Sequence, residues 1–345
     1  MTWTPSLSQH LVAGQPETIT LGHPLVDDYI AFVGARARRN TWLATAYDLK
    51  VFFSQVPKEP TRVTPADVFS FIRAQRTPRH GGKVVRLEDG ESGLAARTIK
   101  RRLTSVSGLF SYLLARGDAG VVVNPVPRGL ATRRSGLRPG TRGVPLIRSP
   151  RTLPRVLSPD EVNLFRSALR THRDRAMAEA MLFAGLRRCE VLGLRLGDLN
   201  PGERRVWVRE GKGGHERMVP VAAGFFVILA RYLNEERPEV EHDLVFVVLK
   251  GRRRGQPLSA AGLDEIVSGA RRRAGLARVT CHQLRHTCFT RLREAGMALE
   301  ALQAQAGHRS IESTRIYLHL ANDWLEREYL SALEVLDAEA IGAES

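Results

Sequence analysis

The stretch AGHRSIESTRIYLH, Ala306 to His319, sets Tyr317 nine residues after His308. A phenol with an ordinary pKa of about 10 is a poor nucleophile until nearby charge stabilises its anion. An isolated tyrosine among apolar residues is most often core packing. Three other strings carry groups that bear on that choice. In AGLRRCEVLGLR, Gly185 ends one helical pattern and Arg187 opens the next, so its guanidinium projects from a helix junction toward where a phosphate could sit. In EGKGGHERMVP, Lys212 occupies a hairpin tip between glycines. In CHQLRH, His282 and Arg285 stand at i and i+3, on one face of a helix. The chemistry open to such types is contact with a phosphate, whose nonbridging oxygens suit an arginine's planar fork. Taken singly, each has an ordinary reading as a surface arginine, an exposed turn lysine, a capping histidine or a turn filler. Spacing cannot bring them together, because they lie on separate elements.

Those elements are mostly helical. From about Pro24 to Ala115, PLVDDYIAFVGARA places Leu25, Tyr29, Ile30 and Val33 on one face, and TWLATAYDLKVFFSQV places Leu43, Ala46, Tyr47 and Val51. Thr64 is an N-cap with Pro65 at the first helical position. Farther on, Ile99, Leu103, Val106, Phe110 and Leu113 recur at spacings of 3 and 4, with Lys100, Arg101 and Arg102 largely off that stripe. A Pro-, Gly- and Arg-rich stretch without periodicity then reads as an extended linker. Beyond it Ser158 and Glu161 form a capping box. Helical segments follow at RDRAMAEAMLFAGL and RRCEVLGLRLGDL, then a β-hairpin, RRVWVRE and HERMVPV joined by GKGG. Helices resume to the end: after Gly307 as a C-cap, Ser310 is placed to cap the helix bearing Tyr317, and an amphipathic tail follows.

Bulk composition narrows the class. The net charge of +16 calls for an anionic partner, nucleic acid first among them. Between Gly93 and Arg155 thirteen basic residues face one acid, Asp118. A solvated surface would mix the signs, whereas a strip that binds phosphates would not. The three cysteines, Cys189, Cys281 and Cys288, form neither a paired framework nor a CxxC ligand set, which fits a reducing cytoplasm and argues against structural zinc. No apolar run is long enough to span a bilayer, and the N-terminus lacks a signal-peptide pattern. GKGG is not followed by Ser or Thr and does not open a helix, so it is not a P-loop.

Taken in order, the four strings resemble the tyrosine recombinase (phage integrase) family. GLRRCEVLGL is similar to its first arginine box, GKGGHERMVP to its hairpin lysine, HQLRHTCFTRL to its His-x-x-Arg box, and AGHRSIESTRIYLH to its Gly-His and nucleophile box. Two departures, AGH in place of the commoner LGH and a longer loop near Arg79 to Ser92, remove no chemical group. The layout is most similar to Xer-like and transposon-type members. The resemblance implies a mainly α fold with a small β-hairpin or sheet, closing on DNA as a C-shaped clamp. Its parts would be a helical core-binding (SAM-like) domain at 20–120, a basic linker at 121–156, a catalytic domain at 157–320 and a tail helix at 321–345 that docks on its own or a neighbouring protomer.

It also implies roles. Tyr317 would be the nucleophile, Arg187 and Arg285 the phosphate clamp, and His308 a further donor. Lys212 would protonate the leaving oxygen and His282 would take the phenol's proton. Glu190, one turn after Arg187, would orient basic neighbours, and His286 would be structural. DNA contacts are expected from Lys100, Arg101, Arg102, Arg133 and Arg134. No cofactor and no metal is implied. The partner would be double-stranded DNA with paired sites, bound by a homo-tetramer or together with a second recombinase, in the cytoplasm and without a membrane. Two rival readings share the fold: a type IB topoisomerase-like nicking and religating enzyme, and a non-catalytic DNA binder.

Overall fold

The computed structural model describes residues 3–12, 15–77, 93–127, 146–147, 155–209, 216–307 and 314. The chain divides into two compact units, Met1–Arg151 and Thr152–Ser345.

In the first unit a hairpin of β1 (Ser8–Val12) and β2 (Gln15–Thr20) precedes four helices: α1 (Pro24–Arg36), α2 (Arg39–Gln55), α3 (Pro65–Arg76) and α4 (Ala96–Arg116). Pro24 and Pro65 stand at helix starts, where a missing N–H costs nothing. The Asp67 carboxylate accepts the Thr64 N–H at 2.9 Å and stops the chain from unwinding there. Ile99, Leu103, Val106, Phe110 and Leu113 all bury along α4, as their spacing predicts. The phase of α2 differs from expectation. Tyr47 is 51% exposed and Val51 only half-buried, while Leu49, Phe52 and Phe53 fill the core. The helix carries two overlapping apolar stripes, and the one with two phenylalanines removes more area from water. The hairpin was not foreseen from the sequence; it delivers Ile19 and Leu21 to this core, with Trp3 Nε1 donating to the Leu21 carbonyl at 3.1 Å.

One polar group breaks the apolar pattern. Asp48 of α2 is buried beneath α4, accepting from Ser105 Oγ at 2.9 Å and from Arg101 Nη1 at 2.7 Å, with Arg102 Nε 3.9 Å away. Burial pushes its carboxyl up from the ordinary range, while Ser105 and the two arginines oppose that rise. Of the consecutive basic residues expected to face DNA, Lys100 is exposed and Arg101 half-exposed, but Arg102 turns inward onto Asp48 and Gln75. Arg133 and Arg134 lie outside the described residues.

The second unit opens with α5 (Pro159–Ser167), where Ser158 and Glu161 cap each other at 3.2 and 3.0 Å. Then come α6 (His172–Leu182) and α7 (Arg188–Leu192). Strands β3 (Leu199–Asn200), β4 (Arg205–Val208) and β5 (Arg217–Pro220) form an antiparallel sheet in that order. Helices α8 (Ala223–Arg231), α9 (Ala260–Arg273), α10 (Cys281–Glu294) and α11 (Leu299–Ala306) complete the described fold. The segment expected to be helical through Leu199 is much shorter: α7 ends at Gly193, and a single 3-10 turn leads into β3. Glycines at 193 and 197 weaken the helix there, and the chain gains a third strand. Helix α6 is buried nearly all round; Ala176, Ala178 and Ala180 let neighbours approach its axis, and both α8 and α10 pack on it. The lobe therefore has one rigid centre from which the α6–α7 junction emerges. No helix among the described residues is long and apolar enough to cross a membrane.

Asp48 gives a direct check on the first unit. Asp48→Ala leaves Arg102 part-buried without its acid, and it is expected to cost about 2–3 kcal/mol in urea denaturation. Asp48→Asn, which keeps an acceptor for Ser105, should cost less.

Candidate active site

The site is built around Glu190, the third residue of α7, whose side chain has no exposed surface. Helix α6 ends near Phe183, and the chain turns through Gly185 at φ 67° before α7 begins. A Cβ at this position would collide with the Phe289 ring from α10, so only glycine permits the junction. Glu190 reaches back to accept the N–H of Arg187 at 2.8 Å and its Nη1 at 2.6 Å. Arg187 Nη2 also donates to the Gly307 carbonyl at 3.3 Å.

Arg285, from α10, is almost wholly buried. It donates to the Gly185 carbonyl and, at 2.7 Å, to that of Ala306, and its guanidinium lies 4.7 Å above the Phe289 ring. Its Nη1 is 3.8 Å from Glu190 Oε2. A third guanidinium, Arg217 of β5, grips both oxygens of the same carboxylate at 3.0 and 2.9 Å, and its Nε donates to the Gln305 carbonyl at 3.2 Å.

Charge decides the protonation of this cluster. Burial alone would raise the Glu190 carboxyl; the Arg217 bonds and charge, the Arg187 N–H and the Arg187 charge outweigh it and hold the group at about 2. Three guanidiniums against one carboxylate leave an excess of two positive charges (3 − 1) beside the α6–α7 junction. Such an excess, held by backbone carbonyls and a ring rather than by mobile acids, is suited to an anion with several oxygens.

The turn after α11 completes the arrangement. Gly307 adopts φ 59°, and a Cβ there would lie 3.0–3.1 Å from three atoms of the Arg217 guanidinium. The glycine before His308 is thus demanded both by the backbone and by the arginine against it. Gln305 ties the same turn down, its Nε2 donating to the carbonyls of Ala184 at 3.1 Å and Pro220 at 3.3 Å.

His282 lies exposed in the first turn of α10, which Thr280 caps. Its Nε2 is 2.8 Å from Nε2 of His286, with the rings nearly perpendicular at 83°. Burial, then the charges of His282 and Arg285, push His286 down to about 4, so at neutral pH it is an uncharged partner to His282.

Of the residues expected to act together, the structure brings Arg187 and Arg285 to one carboxylate and sets His282 one turn before Arg285. Lys212, His308 and Tyr317 lie outside the described residues. Their described flanks do converge: Gly307 precedes His308, and Arg217 follows Lys212 by five residues. Arg217 was not singled out from the sequence, though a signal existed. Two residues before the buried Val219, it shares that residue's inward strand face. An inward arginine needs a buried acid.

The phage integrase family profile matches residues 155–323. Tyrosine recombinase XerD of Listeria monocytogenes serotype 4b (strain F2365) is 27% identical over 323 residues, covering 88% of this chain and 97% of the relative. Tyrosine recombinase XerC of Xylella fastidiosa (strain 9a5c) is 29% identical over 321 residues, covering 89% and 96%. Among solved structures, the Tn1549 transposon integrase in complex with transposon right end DNA shares the fold, with a TM-score of 0.66 at 18% identity over 90% of this chain and 99% of that one.

The Glu190 cluster makes acid stability a test. Because the folded value is about 2 against an ordinary 4.5, its stabilisation is fully present above about pH 4.5 and is lost as pH falls through about 2. The difference corresponds to ~3 kcal/mol. Glu190→Gln should lose stability of that order at neutral pH, and its urea midpoints between pH 4.5 and 2 should fall less steeply than those of wild type.

Proposed function

We propose, for a chain that belongs to the phage integrase family of tyrosine recombinases, site-specific DNA recombination through a 3′-phosphotyrosyl intermediate. The observation that carries this reading is the convergence of Arg187, Arg217 and Arg285 on Glu190, with the Gly307 turn bonded to the same cluster. That is a preorganised positive site, and in the sequence His308 follows Gly307 directly, with Tyr317 nine residues later.

In the proposed reaction the Tyr317 oxygen attacks phosphorus and its proton passes to His282. The bond to the 5′-oxygen breaks, and that oxygen takes a proton from Lys212. Arg187 and Arg285 stabilise the charge that builds on the nonbridging oxygens, with His308 adding a donor; each contact of this kind is worth about 3 kcal/mol. The phosphotyrosyl bond keeps the energy of the broken linkage, so a 5′-hydroxyl from a partner duplex can attack it, release Tyr317 and seal the exchanged strand. Two such exchanges pass through a Holliday junction. Pairwise exchange calls for four protomers on two sites, with the 321–345 tail as the link between neighbours. Lys100, Arg101, Arg133 and Arg134 would contact backbone phosphates, and the interaction should weaken steeply with salt. Unpaired Cys189, Cys281 and Cys288 accord with a reducing cytoplasm.

Covalent trapping tests the reading. Wild type and Tyr317→Phe are incubated with duplex fragments from the gene's flanking DNA, denatured, and the attached DNA sequenced. Adducts from wild type alone, mapping to one short inverted repeat, are expected. Adducts spread evenly would instead identify a topoisomerase-like enzyme, and none at all a non-catalytic binder. Lys212→Ala should slow cleavage by roughly 10²–10⁴. A substrate with sulfur at the bridging 5′ position should recover most of that loss, because a thiolate leaves without a proton.

A further inference from the structure

We propose that Arg217 is a positioning residue for strand cleavage, acting through Glu190 on Arg187. The inference rests on the recombinase reading above and extends it to a residue whose three guanidinium nitrogens each bond within the protein.

Three observations point the same way. Arg217 is nearly buried, and its donors are directed inward to both Glu190 oxygens and the Gln305 carbonyl. It is therefore poorly placed to hold a substrate. Next, its fork occupies the carboxylate in the bidentate manner. Arg187 meets the same carboxylate through a single side-chain nitrogen, Nη1, and sends Nη2 to Gly307. If Arg217 were absent, the bidentate face of Glu190 would be open to Arg187. Arginine and carboxylate prefer that fork-to-fork geometry, and closing it would withdraw donors that a phosphate needs. Arg217 thus keeps Arg187 from being consumed by its own orienting acid. Finally, the guanidinium lies against Gly307 and holds Gln305, in the turn whose Gly307 carbonyl accepts from Arg187 Nη2.

Lysine cannot substitute in this role. A single ammonium cannot span two carboxylate oxygens and a separate carbonyl in one plane. The charges around Glu190 are Arg187 at the N-cap of α7, Arg217 from β5 and Arg285 from α10. Removing Arg217 takes away the strongest opposition to burial, so the Glu190 carboxyl must rise.

The test is single-turnover cleavage, at saturating protein, of the duplex recovered by trapping. The variants are Arg217→Lys, Arg217→Gln, Glu190→Gln and the double variant Arg217→Gln/Glu190→Gln. Arg217→Lys should bind the duplex within about threefold of wild type yet form adduct roughly 10–100-fold more slowly, the scale of loss for misplaced groups. The double variant should be no slower than Glu190→Gln alone. Arg217→Gln should show a fall in rate as pH rises, when its Glu190 ionises and closes on Arg187, that the double variant lacks. A merely structural role would lower melting temperature without that limb. Wild-type cleavage by Arg217→Lys, a defect that vanishes at saturating protein, or additive effects of the two glutamine substitutions would each overturn the proposal. Should Arg217→Gln fail to fold, the lysine and double variants still decide it. Absence of adduct with wild type would count against the recombinase reading instead.

Discussion

The second unit depends on one buried negative charge. Glu190 has no exposed surface, and removing a carboxylate from water is tolerable only when cations and N–H groups surround it. The surrounding cations come from the N-cap of α7, from β5 and from α10, elements distant in sequence. Their arrangement around a single acid means that the acid's demand for partners and the site's demand for clustered arginines are met by the same contacts. Three guanidiniums would repel one another without it. With it they sit close together and keep a surplus of charge.

The first unit applies the same logic to a different end. Asp48 is buried under Ser105, Arg101 and Arg102, but burial still raises its carboxyl, whereas Glu190 is driven far down. The contrast is one of geometry. Arg217 meets Glu190 with two bonds near 3 Å, while Arg102 stands 3.9 Å from Asp48 and Arg101 is half in solvent. Proximity of opposite charges is not enough; several aligned, short, desolvated bonds are what turn the shift of a buried carboxyl downward.

Much of this was legible in the sequence. Strings around Arg187 and Arg285 identified groups that the fold brings to one carboxylate, and the capping signals at Thr64 and Ser158 marked helix starts correctly. Strongly periodic α4 was read with its buried face right. What escaped has physical causes. In α2 two apolar stripes compete, and local spacing alone cannot weigh phenylalanines against a tyrosine. The two-residue β3 is too short for a period-2 pattern, and β1 (SQHLV) and β2 (QPETIT) are mostly polar, with Pro16 inside the second, so no apolar alternation marks them. Arg217 escaped because its importance lies in a partner on another element, and strand alternation hinted at burial without naming the acid. Glu190 was singled out as an orienting group, but the fact that one carboxylate serves three arginines is tertiary information.

Gln305 and Gly307 show what this economy implies for rebuilding the protein. The Gln305 amide holds carbonyls of the α6–α7 junction and the end of β5, while the Gly307 carbonyl meets Arg187 and its bare α-carbon admits Arg217. Segments around 184–190, 217–220 and 305–307 therefore behave as one inheritable block despite more than a hundred residues of separation. Chimeras assembled from relatives would have to exchange all three together, because a foreign residue at 307 or 217 meets a neighbour shaped for its own counterpart. A junction near Thr152, between the two units, leaves the block whole. Modularity in this chain follows the boundary between units and stops short of the individual sequence boxes.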